Sequence, residues 1–371
     1  MWHKLEVGGR PVGVREGHSL TYSSGLDCYL LFGGIGTQRY REVQAFSIAS
    51  HSWETLATVD KSPVERNGHV AWIDDENQIL YVHGGQSAKR EALGDLYALH
   101  LENNSWSRVG LPEDQPEERS LHAAAKVQDR AFIFGGFSPS NGYLKDLWSF
   151  NFGAVDWASA RINGAGWTRH MLRGQVPAGR KAHTMVSFEG KLYLFGGATE
   201  QGYSNDLFCI NTADFKCTKV AAKGAVPSPR AFHSAAVMDH NGVMTLFGGQ
   251  ESVWDGKTEK VNILGDFYLL NLHDLRWTQQ PVPSGAASPS RRYGHAMEYG
   301  YSETGQILLL GGIERNHCPM DVYLLEEGRS QWSPQQESEG RERAGQGDNS
   351  AALKAKVQEL ERMLQTNAQR L

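Results

Sequence analysis

The chain has 371 residues, 40% of them hydrophobic and 21% charged, with a formal net charge of −5 and an isoelectric point near 6.3. That balance offers no basic surface for general nucleic-acid binding, and no apolar stretch approaches the roughly 20 residues of a membrane span. The opening Met-Trp-His-Lys-Leu-Glu lacks the apolar core of a secretion signal. Four scattered cysteines, Cys28, Cys209, Cys217 and Cys318, read as reduced thiols of a cytoplasmic protein, although Cys209 and Cys217 are spaced to be bridged across a hairpin.

Trp2-His-Lys-Leu5 opens the chain as a short apolar strand carrying a tryptophan. A unit then recurs six times. Each begins with an Arg-x-x-His tetrad: Arg15/His18, Arg66/His69, Arg119/His122, Arg180/His183, Arg230/His233 and Arg292/His295. An apolar run follows and closes on a glycine doublet: Gly33-Gly34, Gly84-Gly85, Gly135-Gly136, Gly196-Gly197, Gly248-Gly249 and Gly311-Gly312. Glycine permits positive φ and close backbone approach at a strand end. A polar loop comes next, then a strand opened by an acid (Glu42, Asp95, Asp146, Asp206, Asp266, Asp321), then a segment with Trp53, Trp106, Trp167, Trp277 or Trp332. The fourth unit uses Phe215 or Cys217 in place of the tryptophan. Six copies of four short strands spell an all-β, six-bladed propeller.

The units run approximately over 15–57, 66–110, 119–173, 180–221, 230–282 and 292–333. The Trp2 strand has no unit ahead of it, so it can close the ring as the outer strand of the last blade. Trp332 competes for that place, but Pro334 close behind it removes a ladder donor, and the Trp2 strand is favoured. The third unit carries an insertion (Asn151 to Gly166, with Trp157), and the fifth carries the longest loop, Gln250 to Gly265. Residues 334–350 are polar and turn-rich, a flexible linker after a propeller of residues 1–333. Over 351–371, Leu353, Val357, Leu360 and Leu364 are spaced as a short coiled-coil seam that needs a partner helix.

The glycine doublets, with an aromatic before most of them and a spaced aromatic and tryptophan behind, resemble the kelch repeat over residues 1 to about 333. The resemblance implies a six-bladed kelch propeller and a binding architecture more often than an enzyme. It also implies an adaptor or scaffold role like that of kelch propellers joined to coiled coils in vesicle traffic, cell polarity and cytoskeletal organisation. The copper oxidases of this fold use a tyrosine joined to cysteine with histidine ligands, and no such constellation is found here. The iron-dependent specifier proteins use Glu-x-x-x-Asp-x-x-x-His; Glu91 and Asp95 fit, but His100 arrives one place late, on the opposite face of a strand. A channel-using enzyme or specifier is the rival reading; no catalysis, cofactor or metal is expected.

The expected partner is a protein or peptide on the loop face, with homo- or hetero-oligomerisation through the terminal helix. Exposed aromatics beside cations dominate binding hot spots. The candidates are Arg39, Tyr40, Arg41, Arg90, Tyr143, Tyr203, Trp254, Lys257 and Arg315. The six tetrad arginines carry two readings. Either they ring the channel mouth and take an acidic ligand, as kelch adaptors for acidic peptides do with arginines at similar positions, or they brace backbone carbonyls of adjacent blades. Bracing is favoured, because six uniform copies suit a sixfold scaffold. The histidines read as inner-strand packing residues.

Overall fold

A computed structural model of the chain describes residues 2–89, 91–110, 114–156, 161–162, 166–238, 240–254, 257–282, 288–300, 305–315 and 318–326. The linker and the coiled-coil residues Leu353, Val357, Leu360 and Leu364 lie outside these, as do Arg90, Trp157, His317 and Trp332.

Six antiparallel sheets form one compact unit. Their innermost strands are Ser19–Ser23, Val70–Asp74, Ala123–Val127, Thr184–Phe188, Ser234–Met238 and Ala296–Gly300, and each contacts the next until the last meets the first. Three of the second strands, Cys28–Phe32, Ile79–His83 and Gln306–Leu310, are buried at every position. Neighbouring sheets cover both of their faces, so these strands read as unbroken apolar runs rather than as alternation. The hydrophobic clusters accordingly straddle pairs of blades. One joins Phe32, Leu30 and Val43 of the first blade to Leu80, Val82 and Trp106 of the second.

The fourth-strand tryptophans sit at one register position, facing Phe46, Leu99, Phe150 and Leu270. In the fourth blade that position, opposite Ile210, belongs to Cys217; Phe215 instead lies beneath His170, ring on ring at 4.0 Å. Cys209 faces Thr218, so Cys209 and Cys217 project to opposite sides of the hairpin, and all four cysteines are free thiols.

In the sixth sheet the place opposite Leu325 is taken by Trp2: strand Trp2–Leu5 pairs antiparallel with Val322–Leu325. The Trp2 ring is 4% exposed and packs edge-on against Phe247 and Phe267 of the fifth blade. The chain then continues into Gly8–Gly9, which pairs in parallel with Ser52–Trp53 of the first blade. The connections entering the second, fourth and fifth blades make the same short parallel pairing. Deleting residues 2–6 is expected to lower the melting temperature by the equivalent of a few kcal/mol, the scale of one buried aromatic, and to expose the Val322–Glu326 edge to self-association. Differential scanning calorimetry with gel filtration checks this; an unchanged melting temperature would mean the strand contributes nothing to closure.

Two insertions depart from the repeat. In the third blade a 3-10 turn, Phe152–Ala154, leads to a small ladder of Val155–Asp156 with Arg161–Ile162. In the fifth, the expected loop is a continuous hairpin: Val243–Trp254 pairs with Glu259–Asn271 through a bulge at Gly248, carrying the sheet outward past its glycine doublet.

Candidate protein-interaction face

The tetrad arginines are among the most deeply buried side chains in the molecule, 0–1% exposed. Each Nε donates to the carbonyl two residues upstream at 2.9–3.1 Å. Each Nη1 donates to the carbonyl of the first doublet glycine in its own blade at 2.8–3.1 Å. The acid that opens the third strand completes the set. Arg119 holds Asp146 with both terminal nitrogens at 2.8 Å, and Arg66–Asp95 and Arg230–Asp266 follow the same plan. Burial alone would raise Asp146, yet the Arg119 guanidinium holds its carboxyl below the ordinary value. Arg180 is the loose member, 3.8 Å from an Asp206 that Lys219 takes at 2.7 Å.

Geometry corrects both sequence readings of these residues. A guanidinium that is 0–1% exposed and bonded inside its own blade offers almost no surface at a channel mouth. It also braces strands within a blade rather than between blades. The inter-blade tie is the arginine backbone: its carbonyl accepts from the second doublet glycine of the preceding blade at 2.8–3.0 Å, six times around, ending with Gly312 to Arg15.

The two residues between Arg and His build the mouth. The second of them, Gly17, Gly68, Leu121, Ala182, Phe232 or Gly294, adopts φ of 52–65°. The N–H of each donates to the carbonyl of its counterpart in the neighbouring blade at 2.7–2.9 Å, and the sixth bond returns to the start. A closed hydrogen-bonded hexagon of backbone therefore caps this end of the channel. L-residues at three of its corners hold a conformation that glycine adopts without strain. The first of the two, Glu16, Asn67, Ser120, Lys181, Ala231 or Tyr293, bridges to the residue after the doublet, which sets the mouth and the doublet loops on one face.

On that face the side chains differ from blade to blade. The Lys181 ammonium sits 4.6 Å from the Phe137 ring centre and 5.3 Å from that of Tyr143, which themselves meet edge to face. Burial lowers the Lys181 pKa. Phe232 stands edge-on to Tyr293, and the Tyr203 hydroxyl approaches Gln250 at 3.5 Å. Together they form a half-buried aromatic arc from the third blade to the sixth.

Residues 17–166 and 162–357 each match the family described as the KLHDC2/KLHL20/DRC7 Kelch-repeats domain. The chain belongs to the kelch-repeat family. It is 26% identical over 78% of its length to the Leucine-zipper-like transcriptional regulator 1 homolog of Drosophila melanogaster, of which the alignment spans 29%. Acyl-CoA-binding domain-containing protein 5 of Arabidopsis thaliana is 27% identical over 60% of this chain and 32% of its own. Human Kelch domain-containing protein 3 is 25% identical over 64% of this chain and 61% of its own. The kelch chain thus spans less than two thirds of each of these relatives.

The loop residues expected to bind a partner are divided by the kelch fold. Tyr40 is buried beneath Arg15, whose guanidinium carbon lies 3.8 Å from the ring centre, so it is a lid on the scaffold and not a contact residue. Arg39 is half-buried and donates from Nε to Asn67 at 2.9 Å, which draws it to the mouth. Arg41, Lys257 and Arg315 are exposed; Tyr143 and Tyr203 are half-buried within the arc. Trp254 ends the outer hairpin strand opposite Glu259, with Val253 (41%) and Val261 (54%) exposed along the same hairpin.

Below the hexagon, the six tetrad histidines line the top of a central channel of about 560 Å³. All are buried, and burial first, then the adjoining tetrad arginine, pushes His18 and His233 down to about 3. His83 stands where other blades place Phe or Leu, 3.2 Å from His122, and is also held near 3. Among the described residues no three His, Cys, Asp or Glu side chains are placed to hold a metal ion, and no helix is long and apolar enough to cross a membrane. Sequence reasoning passed over Glu16, Phe137, Lys181, Phe232 and Tyr293. Their signal was in plain view: the two inner tetrad positions, and the position after the doublet that holds Phe137, vary while the positions around them repeat.

Proposed function

We propose that this kelch propeller is a non-catalytic interaction module that seats a protein or peptide segment across the capped mouth and the aromatic arc. One observation carries the reading: on a scaffold whose ties repeat six times, the blade-to-blade differences gather on one face, as half-exposed aromatics around a partly desolvated lysine. Large rigid rings with a cation among them supply contact area at low entropic cost, the composition of binding hot spots. Arg39, Arg41 and Arg315 form the periphery, Lys257 extends it along the fifth-blade hairpin, and Trp254 and Arg90 are proposed contact residues from their sequence alone. The matched segment's small share of two relatives with unlike names suits a transferable module. The seam Leu353, Val357, Leu360 and Leu364 gives the module a route to pair with itself or with a partner helix, as an adaptor would. Four free thiols suit a reducing, cytoplasmic setting.

Affinity capture with the full chain tests the reading. Tyr143→Ala, Lys181→Ala and Trp254→Ala are each expected to weaken capture of the principal partner by roughly 1–3 kcal/mol, the range for interface hot spots, with little change in melting temperature. Capture that survives all three changes would remove this face from consideration. Leu360→Asp with Leu364→Asp should abolish only the helix-mediated part.

A further inference from the structure

At the centre of the mouth a cavity of about 110 Å³ opens on the outer side of the backbone hexagon, and Glu16 lines its wall. No other repeat has an acid at this position, and among the described residues Glu16 is the only ionisable side chain lining the cavity. Its Oε2 lies where a Cβ on Gly294 would come within 2.8 Å, so the absent side chain of Gly294 makes room for the carboxyl group. No cation pairs with it among the described residues, and Tyr293 and Cys318 both feel its charge. Burial pushes the carboxyl up to about 7. An uncompensated carboxylate in a half-dry wall is unfavourable until a cation arrives to pair with it. Gln86 and Ser120 add polar atoms to the rim, and Phe232 supplies an aromatic flank. Drug-sized ligands occupy roughly 300 Å³ or more; this cavity fits a single side chain.

Resting on the face-binding reading above, we propose that the mouth cavity receives one basic side chain of the bound segment, a lysine ammonium or an arginine guanidinium, with Glu16 as its counter-ion. The polarity is opposite to that of an arginine ring: the arginines are spent inside the blades, and the mouth itself presents a carboxyl group.

The full chain, labelled with ¹³C at glutamate carboxyls, is titrated with n-butylammonium, n-butylguanidinium and, as the neutral control, n-butanol. The Glu16 resonance is expected to shift saturably with a cation and not with n-butanol, and the two cation arms distinguish a lysine-like from an arginine-like occupant. In Glu16→Gln the cation should bind at least about tenfold more weakly, with a melting temperature that holds or rises. A randomised peptide library selected on the wild-type chain should enrich Lys or Arg at one position, and the Gln variant should lose that preference. Absence of a saturable cation shift overturns the proposal, as does a library preference unchanged by Glu16→Gln. A library that enriches no peptide strikes the face-binding reading instead, and the titration still decides the cavity.

Discussion

Lowering the pH from 7.5 to 5 is expected to unfold the propeller, well above the range in which carboxylate protonation alone denatures proteins. The six tetrad histidines and His83 are buried and held neutral, with His18, His83 and His233 near 3 and the others shifted the same way. In the unfolded chain they titrate at their ordinary value near 6.5. Below that value the unfolded state binds protons that the folded state refuses. Stability is therefore full above about 6.5 and is lost as pH falls towards 3, by about 1.4 kcal/mol per pH unit for each such histidine. At pH 5 three of them alone remove roughly 6 kcal/mol, comparable to the whole stability of an ordinary domain. Glu16 works in the opposite direction, since its folded carboxyl titrates near 7, but it is one group against seven. Asp146, Asp206 and Asp321 are held below their ordinary value, so their contribution is lost only at lower pH. Urea midpoints at pH 7.5, 6 and 5 give the slope. His83→Phe, which installs the ring that Phe32 and Phe134 place there in their own blades, should flatten it by about one proton. A midpoint that stays constant down to pH 5 would contradict this account.

Arg119→Ala should cost about 3–5 kcal/mol, because it leaves the largely buried Asp146 carboxylate without its counter-ion, with the Trp148 indole N–H still donating to it, and strands the Gly135 carbonyl. The six equivalent changes should not be equal. Arg66 and Arg230 hold their acids in the same two-pronged way and should follow Arg119. Arg292 reaches Asp321 at only 3.3 Å, and Arg180 leaves Asp206 largely to Lys219, so Arg180→Ala should be the mildest. Melting temperatures of the six variants, with an Arg119/Asp146 double-mutant cycle, check the order. Six equal losses would mean that the shared glycine-carbonyl bonds, and not the ion pairs, carry the energy.

The scaffold was open to sequence reading because it is periodic: one physical demand at six places leaves one residue pattern at six places. The doublets, tetrads and opening acids all have their partners in the same blade or the next. The site was harder to read, because a binding face is where the pattern stops. Tyr40 looked like an exposed aromatic beside two arginines, and nothing local shows that Arg15, distant in sequence, would lie across its ring. Gln250 to Gly265 looked like a loop because of its polarity. Its alternation only makes sense as a two-stranded ribbon with both faces near water. The roles of Phe232 and Leu121 depended on backbone sign. Bulky residues at positive φ cannot be deduced from composition, only from the glycines that occupy the matching corners in three other repeats.

Closure by Trp2–Leu5 also sets an order of events during synthesis. Strand Trp2–Leu5 of the last blade leaves the ribosome about 320 residues ahead of its partner Val322–Leu325. At roughly 5–20 residues per second the edge waits on the order of 15–60 s. Throughout that interval Trp2 has no blade to enter, and the short apolar strand is a target for chaperones or for a neighbouring nascent chain. The hexagon of backbone bonds cannot close either until Gly294 arrives. Successive blades can accumulate along the growing chain, but the ring itself closes only once Val322–Leu325 has emerged.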